Sequence, residues 1–210
     1  MMKAWWSLWL VTMAVLLSAL PGCQKYDSLI EKDEVCNQRW GDYQSQLQRR
    51  ADAVPQWVAV VKGAAQYEEK VLTEVTQARA NATSITLKAE DLNDPAKVAA
   101  FQKAQDDLRG SLSRLLVANE KYPELKASQG FRDLQTQIEG TENRILRSRE
   151  QYNEAVKDYN SELRKISGSV VNKATGKPFA PRVYFEASAS ALEAPKIDFG
   201  NKPGREATGD

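Results

Sequence analysis

From Phe131 to Ile166 the chain sets down an inward-type residue every three or four positions: Phe131, Leu134, Ile138, Thr141, Ile145, Ser148, Tyr152, Val156, Tyr159, Leu163 and Ile166. An α-helix turns once in about 3.6 residues, so alternating threes and fours put the whole set on one stripe roughly ten turns long. A stripe of that length is hidden only against other long helices. Ser128 suits the N-cap of this helix, and Gly168 suits its stop. Its seven basic and seven acidic residues balance, so the outer face reads as a solvated helix surface and not as a charged binding stripe.

A second stripe runs Val98, Phe101, Gln105, Leu108, Leu112, Leu115 and Asn119, behind Asp94 as N-cap and Pro95 as first helical residue. The earlier part is less regular. Leu29, Ile30, Val35, Trp40, Tyr43 and Leu47 fall roughly on one side. Val58, Val61, Ala65, Leu72, Val75 and Ala78 continue a stripe towards Ala82. Pro55, with Asp52 as a local cap, is expected to kink the first helix or to start a new one. Together these patterns predict an all-α fold: an elongated, antiparallel up-and-down bundle of three to four long helices over residues 23–166. Helices of 25 to 37 residues would be about 37 to 55 Å long.

The first residues read as an address. Lys3 precedes a stretch, Ala4 to Leu20, that is uncharged and mostly apolar, which is the pattern of a secretory signal over residues 1–22. Its 17 residues fall short of the roughly 20 needed to span a bilayer core, and Pro21-Gly22 is expected to end the helix. Leu20-Pro21-Gly22-Cys23 resembles the lipobox of bacterial lipoproteins. That resemblance implies acylation of Cys23, and two or more acyl chains give stable anchoring at about 0.8 kcal/mol per buried CH₂. The competing reading is an uncleaved signal anchor with Cys23 as an ordinary thiol. Both leave the rest of the chain outside the cytoplasm, on the periplasmic side of a membrane. Gln24 in place of an aspartate leaves an outer-membrane destination open.

The tail, residues 167–210, differs in kind. Pro178, Pro181, Pro195, Pro203 and five glycines exclude a long helix. Its apolar islands, Val183-Tyr184-Phe185 and Ile197-Asp198-Phe199, are expected to dock on the bundle itself or on a partner.

Composition narrows the chemistry. The chain has no histidine, which removes the commonest general base, the Ser-His and Cys-His pairs, and imidazole ligand sets for zinc. Two cysteines make neither a thiolate metal site nor a disulfide scaffold. With 29 basic and 28 acidic residues, nothing favours nucleic acid. Neighbouring carboxylates such as Asp106-Asp107 and Glu68-Glu69 point about 100° apart on a helix and share no reacting centre. No Gly-x-Ser-x-Gly or phosphate-binding loop occurs. The expectation is a protein with no catalytic residues, no metal and no cofactor.

Several phrases resemble the LemA family: Tyr26-Asp27-Ser28-Leu29, Asp33-Glu34-Val35 with Trp40, Gln48 to Pro55, and Val61 to Ala65 with Glu68. Later come Glu120-Lys121-Tyr122-Pro123-Glu124-Leu125-Lys126, Glu142-Asn143-Arg144-Ile145, Arg149, Tyr152-Asn153 and Tyr159-Asn160. The likeness covers about residues 24–166. It implies an antiparallel helical bundle, attachment to a membrane at the N-terminus, and no established catalytic activity.

The polar members of these phrases, Arg49, Arg50, Glu68, Glu142, Asn143, Arg149, Asn153 and Asn160, form a candidate polar cluster, structural or functional. Asn153 and Asn160 share one heptad position, where asparagine fixes register at some loss of stability. On that reading leucine at either position raises stability; on the rival reading they bind a ligand. Cys36 is either a buried apolar residue or an odd thiol for intermolecular pairing. The functional expectation is a lipid-anchored scaffold or adaptor for an envelope protein partner. Its rival is a carrier or sensor of an apolar ligand, held near Trp40, Tyr43 or Trp57.

Overall fold

The computed structural model describes residues 2–63, 69–117, 128–165, 172–173 and 179–186, with side chains from residue 26 onward. Among them are four α-helices, α1 (Met2–Lys62), α2 (Glu69–Ser84), α3 (Pro95–Val117) and α4 (Gln129–Arg164), and a 3-10 turn over Ala89–Asn93. α1 lies chiefly along α4, and α2 lies along α3 and α1. Arg79 of α2 reaches the Ala51 carbonyl of α1. Glu74 pairs with Arg114 and Ala82 with Gln105 across α2 and α3. Consecutive helices therefore run up, down, up and down, and the fold is an elongated all-α bundle. The 36 residues of α4 extend about 54 Å.

The start signals act through hydrogen bonds. Ser128 Oγ accepts from the Phe131 amide at 3.3 Å. Asp94 Oδ1 accepts from the Ala96 and Lys97 amides at 2.9 and 3.3 Å. Each satisfies donors that a first helical turn leaves without partners. α4 ends at Arg164, before Gly168, which lies outside the described residues.

Both prolines sit inside α1, so Pro21-Gly22 does not end a helix and no new helix starts at Pro55. The backbone is helical through Pro21-Gly22 and through Pro55. A proline removes one hydrogen bond and costs about 3 kcal/mol in a helix interior. The carbonyl that Pro55 leaves without its helical donor is that of Ala51, and Arg79 Nε of α2 donates to it at 2.6 Å, while Ala51, Val54, Trp57 and Val61 on the same helix are buried. Each such burial returns about 1.5–3 kcal/mol for the larger side chains, so packing carries the helix past the defect. Asp52 consequently caps nothing; it accepts from the Gln48 amide side chain at 2.7 Å.

The α3 and α4 stripes are buried at every described position named above; Asn119 and Ile166 lie outside the described residues. The early α1 stripe is corrected. Ile30 and Val35 are exposed, at 38% and 41%. The inward positions are Leu29, Asp33, Cys36, Trp40, Tyr43, Leu47, Arg50, Val54, Trp57 and Val61, alternating fours and threes. Two charged residues complete that heptad. Apolar residues alone therefore trace a false path, because Ile30 and Val35 flank the position that Asp33 holds.

The core has two sections. One joins Leu29 to Leu47 with Val98, Phe101, and Ile145 to Leu163. The other joins Val54, Trp57 and Val61 with α2, Leu108 to Leu115, and Phe131 to Ile138. The island Val183-Tyr184-Phe185 docks on the bundle, and Phe185 belongs to the first section. Ile197-Asp198-Phe199 lies outside the described residues. Among the described residues no helix is long and apolar enough to cross a membrane; the side chains of Ala4 to Leu20 precede those described.

Candidate functional site

Residues 179–186 form neither helix nor strand, yet Arg182 and Phe185 are buried. Buried peptide groups need partners, and here side-chain carboxamides supply them. A carboxamide offers a donor and an acceptor, as a neighbouring strand would. Asn160 donates to the Arg182 carbonyl at 2.8 Å and accepts from its amide at 3.0 Å. Asn153 does the same for Phe185, at 2.7 and 2.9 Å. Gln102 of α3 holds Glu186, at 2.7 and 3.2 Å, and Asn172 holds Phe179, at 3.1 and 2.6 Å. The Val183 amide donates to the Leu92 carbonyl at 2.9 Å.

The spacing of the two α4 asparagines sets the shape of what they hold. Seven helical residues rise about 10.5 Å, and three extended residues cover about 10 Å. Asn160 and Asn153 therefore match residues 182 and 185 of an extended segment running antiparallel to α4. Inward residues three apart also match the repeat of a polyproline-II chain.

Two side-chain pockets accompany the clamps. Phe185 enters a box of aromatic rings: Trp40 stacked at 5.6 Å, Tyr43 edge-on at 5.2 Å, with Tyr152 and Phe101 at 5.2 and 6.1 Å. Arg182 donates to Asp33 Oδ1 at 2.8 and 3.1 Å and to Asn37 Oδ1 at 2.7 Å, and sits 5.8 Å from the centre of the Tyr159 ring. Burial pushes the Cys36 thiol beside this pocket up to about 11, against the opposing pull of Arg182. Burial likewise pushes the Tyr43 and Tyr159 hydroxyls up to about 12, and Tyr152 higher still.

A separate polar site joins the two core sections. Arg50, 1% exposed, donates to Glu142 Oε1 at 3.0 Å and to the Gln105 carbonyl and Oε1 at 3.3 and 2.6 Å. Gln105 donates in turn to the Ala82 carbonyl at 2.9 Å. One guanidinium thus links α1, α3 and α4 directly, and α2 through Gln105.

The single polar cluster expected from sequence is therefore two sites. Arg50 and Glu142 meet in the pin between core sections. Asn153, Asn160 and Arg149, whose guanidinium donates to the Glu186 carbonyl at 3.2 Å, line the tail. Asn143 is exposed at the rim of a cleft of about 80 Å³ beside Tyr43. Arg49 is exposed. Glu68 and the side chain of Cys23 lie outside the described residues. Asp33, Asn37, Gln102, Asn172 and Arg182 were not among the expected site residues; for Asp33 the heptad spacing carried the signal. Cys36 is a buried free thiol. Among the described residues no three acidic, cysteine or histidine side chains converge as metal ligands.

The chain matches the LemA family over residues 39–199. No curated protein matches it. The family match extends past α4 and takes in the whole docked segment, beyond the stretch in which the resemblance was legible.

Proposed function

The chain belongs to the LemA family, and on that premise we propose that it is a lipid-anchored, extracytoplasmic helical-bundle protein that acts without catalysis as a scaffold or adaptor for other envelope proteins. The apolar leader from Ala4 to Leu20 and the lipobox-like Leu20-Pro21-Gly22-Cys23 support the anchor. The mature body after Gly22 carries 28 basic and 28 acidic residues, the loss of Lys3 having removed one basic charge. A neutral body gains little from anionic lipid, so acyl chains on Cys23 would have to supply the attachment.

The observation that favours a scaffold over a ligand carrier is the filled interior near Trp40 and Tyr43. An apolar ligand would sit there, and Phe185 of the chain itself does. The clefts left beside Tyr43 and Phe101, about 80 and 110 Å³, are small against the roughly 300–1,000 Å³ of ordinary ligand pockets, and the larger ones, about 250 and 330 Å³, are lined chiefly by charged and polar side chains.

Intact-mass analysis of protein extracted from membranes tests the anchor: cleavage before Cys23 with added diacylglycerol and acyl mass is expected, and an uncleaved, unmodified chain refutes it. Crosslinking in intact cells tests the scaffold: recurrent adducts to a defined envelope protein are expected. Stoichiometric lipid retained by the delipidated, anchor-free body would instead make it a carrier.

A further inference from the structure

The segment 179–186 is held in a way that separates it from the bundle that holds it. Its backbone shares no ladder with any helix. Apart from the Val183–Leu92 bond, its peptide groups are held by side chains: the carboxamides of Asn153, Asn160, Gln102 and Asn172, the Tyr159 hydroxyl on the Ala180 carbonyl and the Arg149 guanidinium on the Glu186 carbonyl. Removing it breaks no hydrogen bond within α1 to α4. What it leaves is a groove with two deep pockets of different chemistry: an acidic and amide pocket of Asp33 and Asn37 for a guanidinium, and an aromatic box for a phenyl ring.

We propose that this groove is a peptide-binding site that reads an extended Arg-x-x-Phe segment, that the chain's own Arg182-Val183-Tyr184-Phe185 occupies it in cis, and that the same segment of a second copy can take its place. Each feature selects one part of the ligand. The two asparagines, a heptad apart, clamp the backbone of the first and last positions, which fixes the number of residues between the pockets. Asp33 accepts twice from the guanidinium, a geometry that a lysine ammonium does not reproduce. The Phe185 box closes on four sides with aromatic rings, so a small aliphatic residue leaves it underfilled. The two middle positions are read weakly: Val183 is half-buried and Tyr184 is exposed at 39%. A second copy carries this pattern identically, and exchange of an identical element between protomers adds no new interface chemistry.

The test uses the full chain and a fluorescein-labelled peptide of residues 180–186 with both ends blocked. In wild type the tethered segment competes at an effective concentration of about millimolar, so added peptide binds weakly. Arg182→Ala with Phe185→Ala weakens the occupant and leaves the groove intact. This variant should bind the peptide more than about ten-fold tighter than wild type does. Peptide with alanine at both reading positions should not bind, and further change of Asn153 and Asn160 to alanine should abolish binding. A doubly substituted protein that keeps its helical circular dichroism but binds no better than wild type overturns the proposal. If that variant loses helix, hydrogen exchange of the wild-type chain decides. Arg182, Val183 and Phe185 amides exchanging faster than the α4 core support a separable ligand; exchange in step with α4 overturns it. For the second copy, the tail variant is mixed with a full-length Asn153→Ala, Asn160→Ala groove variant whose segment is intact. A dimer in the mixture and not in either component supports exchange between copies, and monomers throughout overturn that part.

Discussion

Phe185 lies flat against Trp40, ring centroids 5.6 Å apart and planes 8° from parallel, although 145 positions separate them in the chain. The contact closes the first core section, around Trp40 and Tyr152, with a residue that belongs to none of the four helices. Phe185 is 2% exposed, and removing a buried phenyl ring costs about 3–5 kcal/mol. Phe185→Ala should therefore lower the melting temperature by about 6–20 °C, at about 2–4 °C per kcal/mol for a chain of this size. Calorimetry measures it, and a change of a degree or less would mean that the ring is not docked.

The asparagines of α4 give the opposite sign to the one that their heptad position suggested. Read as polar residues in a helix seam, Asn153 and Asn160 should become more stabilising as leucine. Each instead satisfies both polar groups of one tail residue. Leucine leaves those groups without their partners, a loss of about 1–3 kcal/mol per unsatisfied buried group. Asn153→Leu and Asn160→Leu should each lower the urea midpoint. Their effects should be less than additive with Phe185→Ala, because once the segment has detached there is no second contact to lose. A double-mutant cycle in urea reads this directly.

The difference between what the sequence disclosed and what it hid lies in where each partner sits along the chain. In α4 every turn presents a residue compatible with burial, so the stripe from Phe131 to Leu163 is readable from local spacing alone. In α1 the same heptad passes through Asp33 and Arg50. Their partners are Arg182, on the tail, and Glu142, far along α4, and no local pattern announces them. Periodicity reports that a position faces inward, and it does so reliably when the residue is apolar. It does not report which distant group makes a charge tolerable there. Of the tail, the apolar island Val183-Tyr184-Phe185 was legible as a docking segment, but which of its residues turn inward was not: a segment satisfied by carboxamides has neither the 3.6 nor the 2.0 period that marks helix or strand, and its buried side follows a spacing of three between Phe179, Arg182 and Phe185.

The Arg50 pin should be sensitive to geometry as well as charge. Its guanidinium serves Glu142 and both acceptors of Gln105 at once, which a lysine cannot span. Breaking a fully buried pair by removing one partner costs about 3–5 kcal/mol, but the Glu142 side chain is 20% exposed. Water offsets part of its loss, so Glu142→Ala should cost about 1–3 kcal/mol. Arg50→Lys should cost a similar amount and Arg50→Met less than Glu142→Ala, since methionine removes the buried charge together with its need for a partner. Chemical denaturation of the three variants checks the ranking; Arg50→Met as the most damaging of them would contradict it.

Cys36 supplies a pH dependence whose sign follows from burial. Its thiol is fully buried, and desolvation raises its pKa from an ordinary 9.0 to about 11. The folded chain therefore holds the proton more tightly than the unfolded chain does. Stability from this group is complete below about pH 9 and is lost as the pH rises through about 11. Tyr43 and Tyr159, moved from 10.0 to about 12 by the same cause, extend the loss to higher pH. Urea midpoints should hold steady from neutral pH to about pH 9 and then fall, and Cys36→Ala should flatten the first part of that fall. In the native state the thiol should react with iodoacetamide far more slowly than in urea, because the thiolate is the nucleophile and burial suppresses it. Rapid labelling of the native protein, with alkaline stability unchanged by Cys36→Ala, would place this side chain outside the core.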